Sequence, residues 1–426
     1  MIHTYRLISL ILYPFLIVLI FFRKLINKED KDRYKEKIFS STFKKNFSEK
    51  KKLIWFHAAS IGEVQSIIPI INQLNFNSHK FNFLITTVTL SSGNLIKHEL
   101  KNYENLTHRY LPLDINFLIK KFISIWRPHL VFFVDSEIWP NLILNIKKKN
   151  IPLVIINGRI TYKTFKRWMK VPKTAKKIFS SFSLILTSNL DSKEYFNKLG
   201  GNNIFHFGNI KFTNIVDVKK IYTRNKDALE NKNFWCAAST HNNEEEFCIK
   251  THIKMKDKID NLLTIIAPRH IQRSKEIKKL CENYNLTAQI VYKNDIILKD
   301  SEIVIINSFG VLSGYFKYAK SVFVGKSILK KLSLDGGQNP ILPAQLGCKI
   351  YHGPYVNNFK DVYKFLKSKK ISAEVLNINE LSDNLINDFK TYKKDLIKSQ
   401  EMIEMIGKEI LNKTTKKINT FINYGD

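Results

Sequence analysis

The stretch LIWFHAASIGEVQSIIPIINQL, residues 53–74, decides the fold. Its apolar run, Leu53 to Ala58, is too short for a helix and stops at a His and small residues. From Glu63 to Leu74 the apolar residues then recur at helical spacing. A buried strand, a small-residue loop and an amphipathic helix form the first half of a βαβ unit. A carboxylate, Glu63, sits where that helix begins. Ser60-x-x-Glu63 fits a capping box, in which hydroxyl and carboxylate satisfy orphan backbone donors. A carboxylate at the end of a strand also suits a general base, and these residues alone leave both uses open.

Working outward, the same alternation continues through FNFLITTVT, INFLIKKFISIW, HLVFFVD, IPLVIIN and SLILTS. It restarts at NFWCAAS and runs through LLTIIAP, TAQIVY, EIVIIN, SVFVG and KIYHG. Strand-like runs separated by helix-length segments specify parallel, doubly wound sheets, here in two Rossmann-like halves. A length of 426 residues agrees with two cores. Val216 to Asn233 is charged and aperiodic and reads as the linker. The expected division is therefore an N-terminal segment 1–24, a first domain 25–215 and a second domain 216–426 ending in a helix pair.

The N-terminus carries an uncharged run from Leu7 to Phe22, with Arg6 before it and Arg23, Lys24, Lys28 and Lys31 at or after its end. A secretory signal ends in small residues, whereas this run passes directly into basic ones, so it reads as an uncleaved membrane anchor. Its length and Pro14 leave a spanning and an interfacial placement both open. The positive flank keeps the following chain cytoplasmic. The formal charge of +32 favours phosphate-rich partners. Nucleic acid is disfavoured, because no zinc-finger spacing or RNA-binding aromatic motif accompanies the charge. Four scattered Cys without CxxC spacing exclude a disulfide framework and indicate a reducing compartment.

In open parallel sheets, ligands bind beyond the carboxyl ends of the strands. The unusual residues lie there: Glu63, Asp135-Ser136-Glu137, Asn157-Gly158-Arg159, Ser239-Thr240-His241, Pro268-Arg269-His270 and Gly336-Gly337-Gln338-Asn339-Pro340. A glycine pair ahead of a helix offers backbone N–H groups to a phosphate, and Arg269 adds a charge-assisted contact. Neither GxGxxG nor GxxxxGK[ST] is present, so hydride transfer and NTP hydrolysis lose ground to an activated sugar. No Asp/His cluster has metal-site spacing, so none of these residues is read as a metal ligand.

Ten segments in one order carry a resemblance: YRL with the anchor, WFHAASIGEV, SEIWPN, NGRIT, GNIKF, STHNNEEE, APRH, FVGKS, GGQNP and GPYVNNFKD. They resemble the 3-deoxy-D-manno-octulosonic acid (Kdo) transferases of Gram-negative lipopolysaccharide synthesis, over nearly the whole chain. The resemblance implies a GT-B fold, two Rossmann-like α/β domains facing a cleft. It implies an inverting glycosyltransferase moving Kdo from CMP-Kdo onto lipid IVA at the cytoplasmic face of the inner membrane, without metal or other cofactor. By that similarity Glu63 is the acceptor-activating base, and Glu137 and Lys211 assist the transition state. Pro268, Arg269, the loop Phe309-Gly310-Val311 and the segment Gly337, Gln338, Asn339 and Pro340 fall where the family holds CMP.

The chain departs from the family where GGHNPLE becomes Gln338 with Leu342, and where DT-x-GE becomes Asn307, Ser308 and Val311. Two other classes compete: a non-catalytic basic tether for anionic lipid or nucleic acid on a decayed fold, and a nucleotide-sugar epimerase. Retention of GEV, Lys211, Arg269 and GGQN opposes the first. An anchor, which an epimerase does not need, opposes the second.

Overall fold

The computed structural model of the protein describes residues 1–44, 51–77, 81–99 and 103–422. The chain forms two compact units, Met1–Asn214 with the residues from Gly407 onward, and Ile215–Ile406.

Seven strands build the sheet of the first unit: β1 (Lys52–His57), β2 (Phe81–Thr87), β3 (Leu106–Tyr110), β4 (Leu130–Val134), β5 (Leu153–Gly158), β6 (Leu184–Thr187) and β7 (Ile204–His206). Their order is β3-β2-β1-β4-β5-β6-β7, and every pairing is parallel. Helices on both faces explain why β2 and β4 are buried at every residue and why β4 reads as an unbroken apolar run. Trp55, Phe133, Phe122, Trp126 and Phe179 lie at the centre of a core of this unit.

The second unit repeats the plan with β8 (Asn233–Thr240), β9 (Leu262–Pro268), β10 (Ala288–Val291), β11 (Ile303–Ile306), β12 (Ser321–Val324), β13 (Lys349–His352) and β14 (Ser372–Glu374). The order β10-β11-β9-β8-β12-β13-β14 is again all parallel. The first sheet changes winding direction between β1 and β4, and in the second the chain crosses to the other side of its first strand between β8 and β12. Such a switch point is where open sheets bind ligands.

The runs read as strands from the sequence are strands. The short edge strands β3, β7 and β14 were not anticipated, and their residues are mostly half-buried rather than apolar and enclosed. The charged stretch after Val216 is less plain than a linker. It contains the helix Lys226–Glu230, and Asn225 ties it down by accepting from the Ile297 backbone N–H and donating to the Asp295 carbonyl.

The sequence reading placed both terminal helices in the second domain. In the structure the last helix, Leu396–Ile422, passes from the second unit into the first at Gly407. There it runs so close to the chain that a Cβ on Gly407 would lie 2.4 Å from the Phe212 carbonyl oxygen, a spacing only glycine permits.

Candidate active site

In the first unit the polar residues converge at the β1/β4 switch point. Glu63 lies in the first turn of the helix Ile61–Asn77 and is half-buried. Its carboxylate accepts from the Ala59 backbone N–H at 2.7 Å and from the Ser60 hydroxyl at 2.8 Å, so the capping geometry expected from the sequence is present. Burial raises its carboxyl above the ordinary carboxylate range, and the nearby charges of Asp135 and Glu137 raise it further. The two hydrogen bonds offset only part of this.

Asp135 ends β4 at φ 61°, a left-handed conformation, and is 8% exposed. Its carboxylate pairs with Lys211 at 2.9 Å and Arg159 at 3.3 Å. Burial alone would raise its carboxyl, but these two cations outweigh it and hold the group below its usual range. Asn157, left-handed at the end of β5, accepts from the Ile210 backbone N–H and so brings the Lys211 segment beside β4.

Glu137 accepts from the Trp139 indole at 2.7 Å and lies 3.4 Å from His57 Nε2. His57 is fully buried, with Nδ1 3.0 Å from the Thr86 hydroxyl, which itself accepts from the Trp55 indole. Nδ1 also lies 3.2 Å from the Thr86 backbone carbonyl, so one edge of the ring faces Thr86 and the other faces Glu137. Glu63, Glu137 and Lys211 therefore gather around Asp135. The partners of Asp135 and His57 are distant in sequence, so neither pairing is legible from the chain alone.

In the second unit the β8/β12 switch point is organised by Glu244, which is fully buried. Its carboxylate accepts from the backbone N–H groups of His241 at 2.9 Å, Lys326 at 2.6 Å, Ser327 at 2.8 Å and Ile328 at 3.2 Å. The Lys326 carbonyl accepts in turn from the Gly337 N–H at 2.6 Å, and Tyr363 donates to the Gln338 carbonyl at 2.9 Å. Gly337 has φ 92°, and a Cβ on Gly336 would meet the Tyr355 carbonyl at 2.3 Å, so this loop needs both glycines.

Gln338 lies 3.2 Å from His241 Nε2. Burial, then the charges of Lys326, His270 and Arg269, push His241 down to about 4, so at neutral pH it is an uncharged acceptor in a cationic cluster. Arg269 and Phe309 are exposed, and Gly310 turns at φ 78° beside Val311. Pro268 ends β9 and is buried, so it orients Arg269. Among the described residues, no group of three or more His, Cys, Asp or Glu is placed to hold a metal ion. The helix after GGQNP is only Ile341–Gln345, with Asn339 capping the Ile341 N–H. A phosphate at this loop would meet mainly side-chain cations rather than a long helix dipole.

A family model described as 3-deoxy-D-manno-octulosonic-acid transferase (kdotransferase) matches residues 32–214. The 3-deoxy-D-manno-octulosonic acid transferase of Rickettsia bellii is 31% identical, across 98% of this chain and 99% of that one. The chain belongs to the Kdo transferase family.

The Haemophilus influenzae Kdo transferase is 29% identical over 83% of this chain and 81% of its own. The solved structure of a putative UDP-N-acetylglucosamine 2-epimerase from Listeria monocytogenes superposes with a TM-score of 0.60 at 11% identity, covering 88% of this chain and 98% of that one. That likeness establishes the GT-B-like fold and says nothing of the reaction. As a Kdo transferase the chain is a glycosyltransferase, so neither the tether nor the epimerase reading stands.

One expectation follows for this Kdo transferase from the loop geometry. Glu244→Gln keeps one acceptor but turns an N–H₂ toward backbone donors, at a cost of about 1–3 kcal/mol. Melting should show that loss, and an unchanged melting temperature would remove Glu244 from the framework of this loop.

Proposed function

We propose that the protein transfers Kdo from CMP-Kdo onto lipid IVA in lipopolysaccharide core synthesis, with inversion at the anomeric carbon. The observation that carries this reading, in a chain of the Kdo transferase family, is the half-buried Glu63 carboxylate at the β1/β4 switch point with the Asp135–Lys211–Arg159 ion cluster. In this scheme Glu63 takes the proton of an acceptor hydroxyl as its oxygen bonds to the anomeric carbon. The bond from that carbon to the phosphate oxygen breaks, and CMP leaves with the electron pair. Lys211, held by Asp135, and Glu137, held by Trp139 and His57, set the charge around the reacting sugar. Arg269, Gln338 and the loops Phe309–Val311 and Gly337–Pro340 hold CMP, and no metal or other cofactor takes part. The helix Ile2–Leu25 anchors the enzyme at the cytoplasmic face of the inner membrane.

Mass spectrometry of lipid IVA incubated with CMP-Kdo and the purified protein tests the reaction. A product heavier by one or more Kdo residues supports it, and unmodified acceptor alongside intact donor would overturn it. Arg269→Ala should weaken CMP binding by roughly 10- to 150-fold, the equivalent of a lost charge-assisted hydrogen bond of about 1.5–3 kcal/mol. Calorimetry with CMP reads this directly, and an unaltered affinity would move the donor phosphate elsewhere.

A further inference from the structure

The helix Pro140–Lys148 begins three residues after Glu137, and its start lacks a cap of its own. Trp139 occupies the N-cap position, where Ser, Thr, Asp or Asn is ordinarily favoured. Pro140 follows at the first helical position and has no N–H to satisfy. The Trp139 side chain is committed elsewhere. Its indole donates to Glu137 at 2.7 Å, and its ring packs against the core.

The cap comes instead from Asp114, in the loop between β3 and the helix Asn116–Trp126. One carboxylate oxygen of Asp114 accepts from the Asn141 backbone N–H at 3.0 Å, and the other accepts from the Leu142 N–H at 2.9 Å. These are the first two N–H groups the helix has to satisfy. The next one, on Ile143, already donates to the Trp139 carbonyl at 2.9 Å.

Asp114 is itself held from several sides. Its backbone carbonyl accepts from the Asn141 side-chain amide at 2.6 Å, and its carboxylate also accepts from the Tyr5 hydroxyl at 2.8 Å. Arg6 donates to the Asn141 side-chain oxygen at 3.2 Å. Asn145 donates both to the Asn141 carbonyl, at 2.7 Å, and to the Asn116 side chain, at 3.0 Å. Asp114 is 8% exposed and Asn141 is fully buried, so this network is closed to water.

A Ser or Asp at position 139 would cap the helix locally but would leave Glu137 without the indole. Supplying the cap from Asp114, 27 residues before Asn141, frees that position for a Trp. The place of the indole then depends on a carboxylate remote from it in the chain.

We propose that Asp114 is a positioning residue for the transfer reaction: by capping the helix Pro140–Lys148 it fixes Trp139, and through the Trp139 indole it sets the Glu137 carboxylate at the reacting sugar. This role of Asp114 rests on the catalytic reading of Glu137. A shift of about 1 Å in a catalytic group can cost about 100-fold in rate, so a loosened first turn is enough to be felt at the sugar.

The test is a double-mutant cycle on the full chain, with kcat measured on CMP-Kdo and lipid IVA for the wild type, Asp114→Asn, Glu137→Gln and the two together. Asn keeps the volume and one acceptor but turns an N–H₂ toward backbone donors. The expected result is a fall in kcat of about 10- to 100-fold for Asp114→Asn, with CMP affinity unchanged. In the Glu137→Gln background the same change should lower the residual turnover by no more than about twofold. Equal losses in both backgrounds would make Asp114 a support of the domain at large and overturn the proposal, as would full turnover in Asp114→Asn. Normal turnover in Glu137→Gln alone would instead overturn the catalytic reading of Glu137. Trp139→Phe keeps a ring in the core and removes the indole N–H, so it reads the same link if Asp114→Asn does not fold. It should show the same loss and the same coupling to Glu137→Gln, and full or additive turnover there would also overturn the proposal.

Discussion

Glu63→Gln should lower turnover by about two to four orders of magnitude, the usual contribution of a general base, while the protein stays folded. Gln keeps the volume and one acceptor for Ala59 or Ser60, so the helix start survives. Turnover, read beside stability, separates the two uses of this side chain. Because the folded-state carboxyl of Glu63 is raised, its contribution to stability is present at low pH and is lost as pH rises through the raised value. At neutral pH an uncharged Gln removes repulsion from Asp135 and Glu137, so melting should not fall by more than the roughly 1 kcal/mol of a lost cap. Turnover of the wild-type enzyme should show an acid limb above the ordinary carboxylate range, since the base works only when ionised. Near-normal turnover in Glu63→Gln, measured on lipid IVA with CMP-Kdo, would reduce Glu63 to a helix cap.

Lys211→Met should cost turnover about two to three orders of magnitude, the scale of removing one preorganised charge from a reacting centre. It should also alter acid stability in a defined direction. The Asp135 carboxyl is held below its usual range, so its ion pairs stabilise the fold above the unfolded-state value, and that stability is lost as pH falls through the depressed one. With Lys211 gone, Arg159 remains at 3.3 Å and keeps the fold, but the depression shrinks. The acid loss should then be smaller and complete at higher pH, as melting across the acid range will show. Lys211→Arg should recover most of the stability and little of the turnover, because a planar guanidinium does not reproduce the position of an ammonium. Full turnover in Lys211→Met would remove this residue from the reaction.

The carboxyl-end clusters lay open to reading because they break apolar runs, and the family motifs attach to them. What those motifs do to one another did not. Asp135 looked isolated at its place in the chain, since Arg159 is 24 and Lys211 is 76 residues away. His57 looked like the end of a strand, and its link to Glu137 spans 80 residues. Glu244 looked like one of three acidic residues in a first helical turn. Only the β8/β12 adjacency brings the Lys326–Ile328 backbone onto its carboxylate.

The chain by itself determined the two doubly wound sheets. A strand enclosed on both faces is mostly apolar, and that signal is local. It determined the helix start at Glu63 for the same reason, because a capping box closes within three residues. The tertiary structure decided the edge strands β3, β7 and β14, whose half-exposed residues carry no such run. It decided the return of the last helix to the first unit, which depends on a missing Cβ at Gly407 opposite Phe212. It also decided which face of the N-terminal helix is covered. An unbroken apolar sequence specifies no orientation until Tyr5, Arg6 and Tyr13 find Asp114, Asn141 and the Ile38 carbonyl, 109, 135 and 25 residues away.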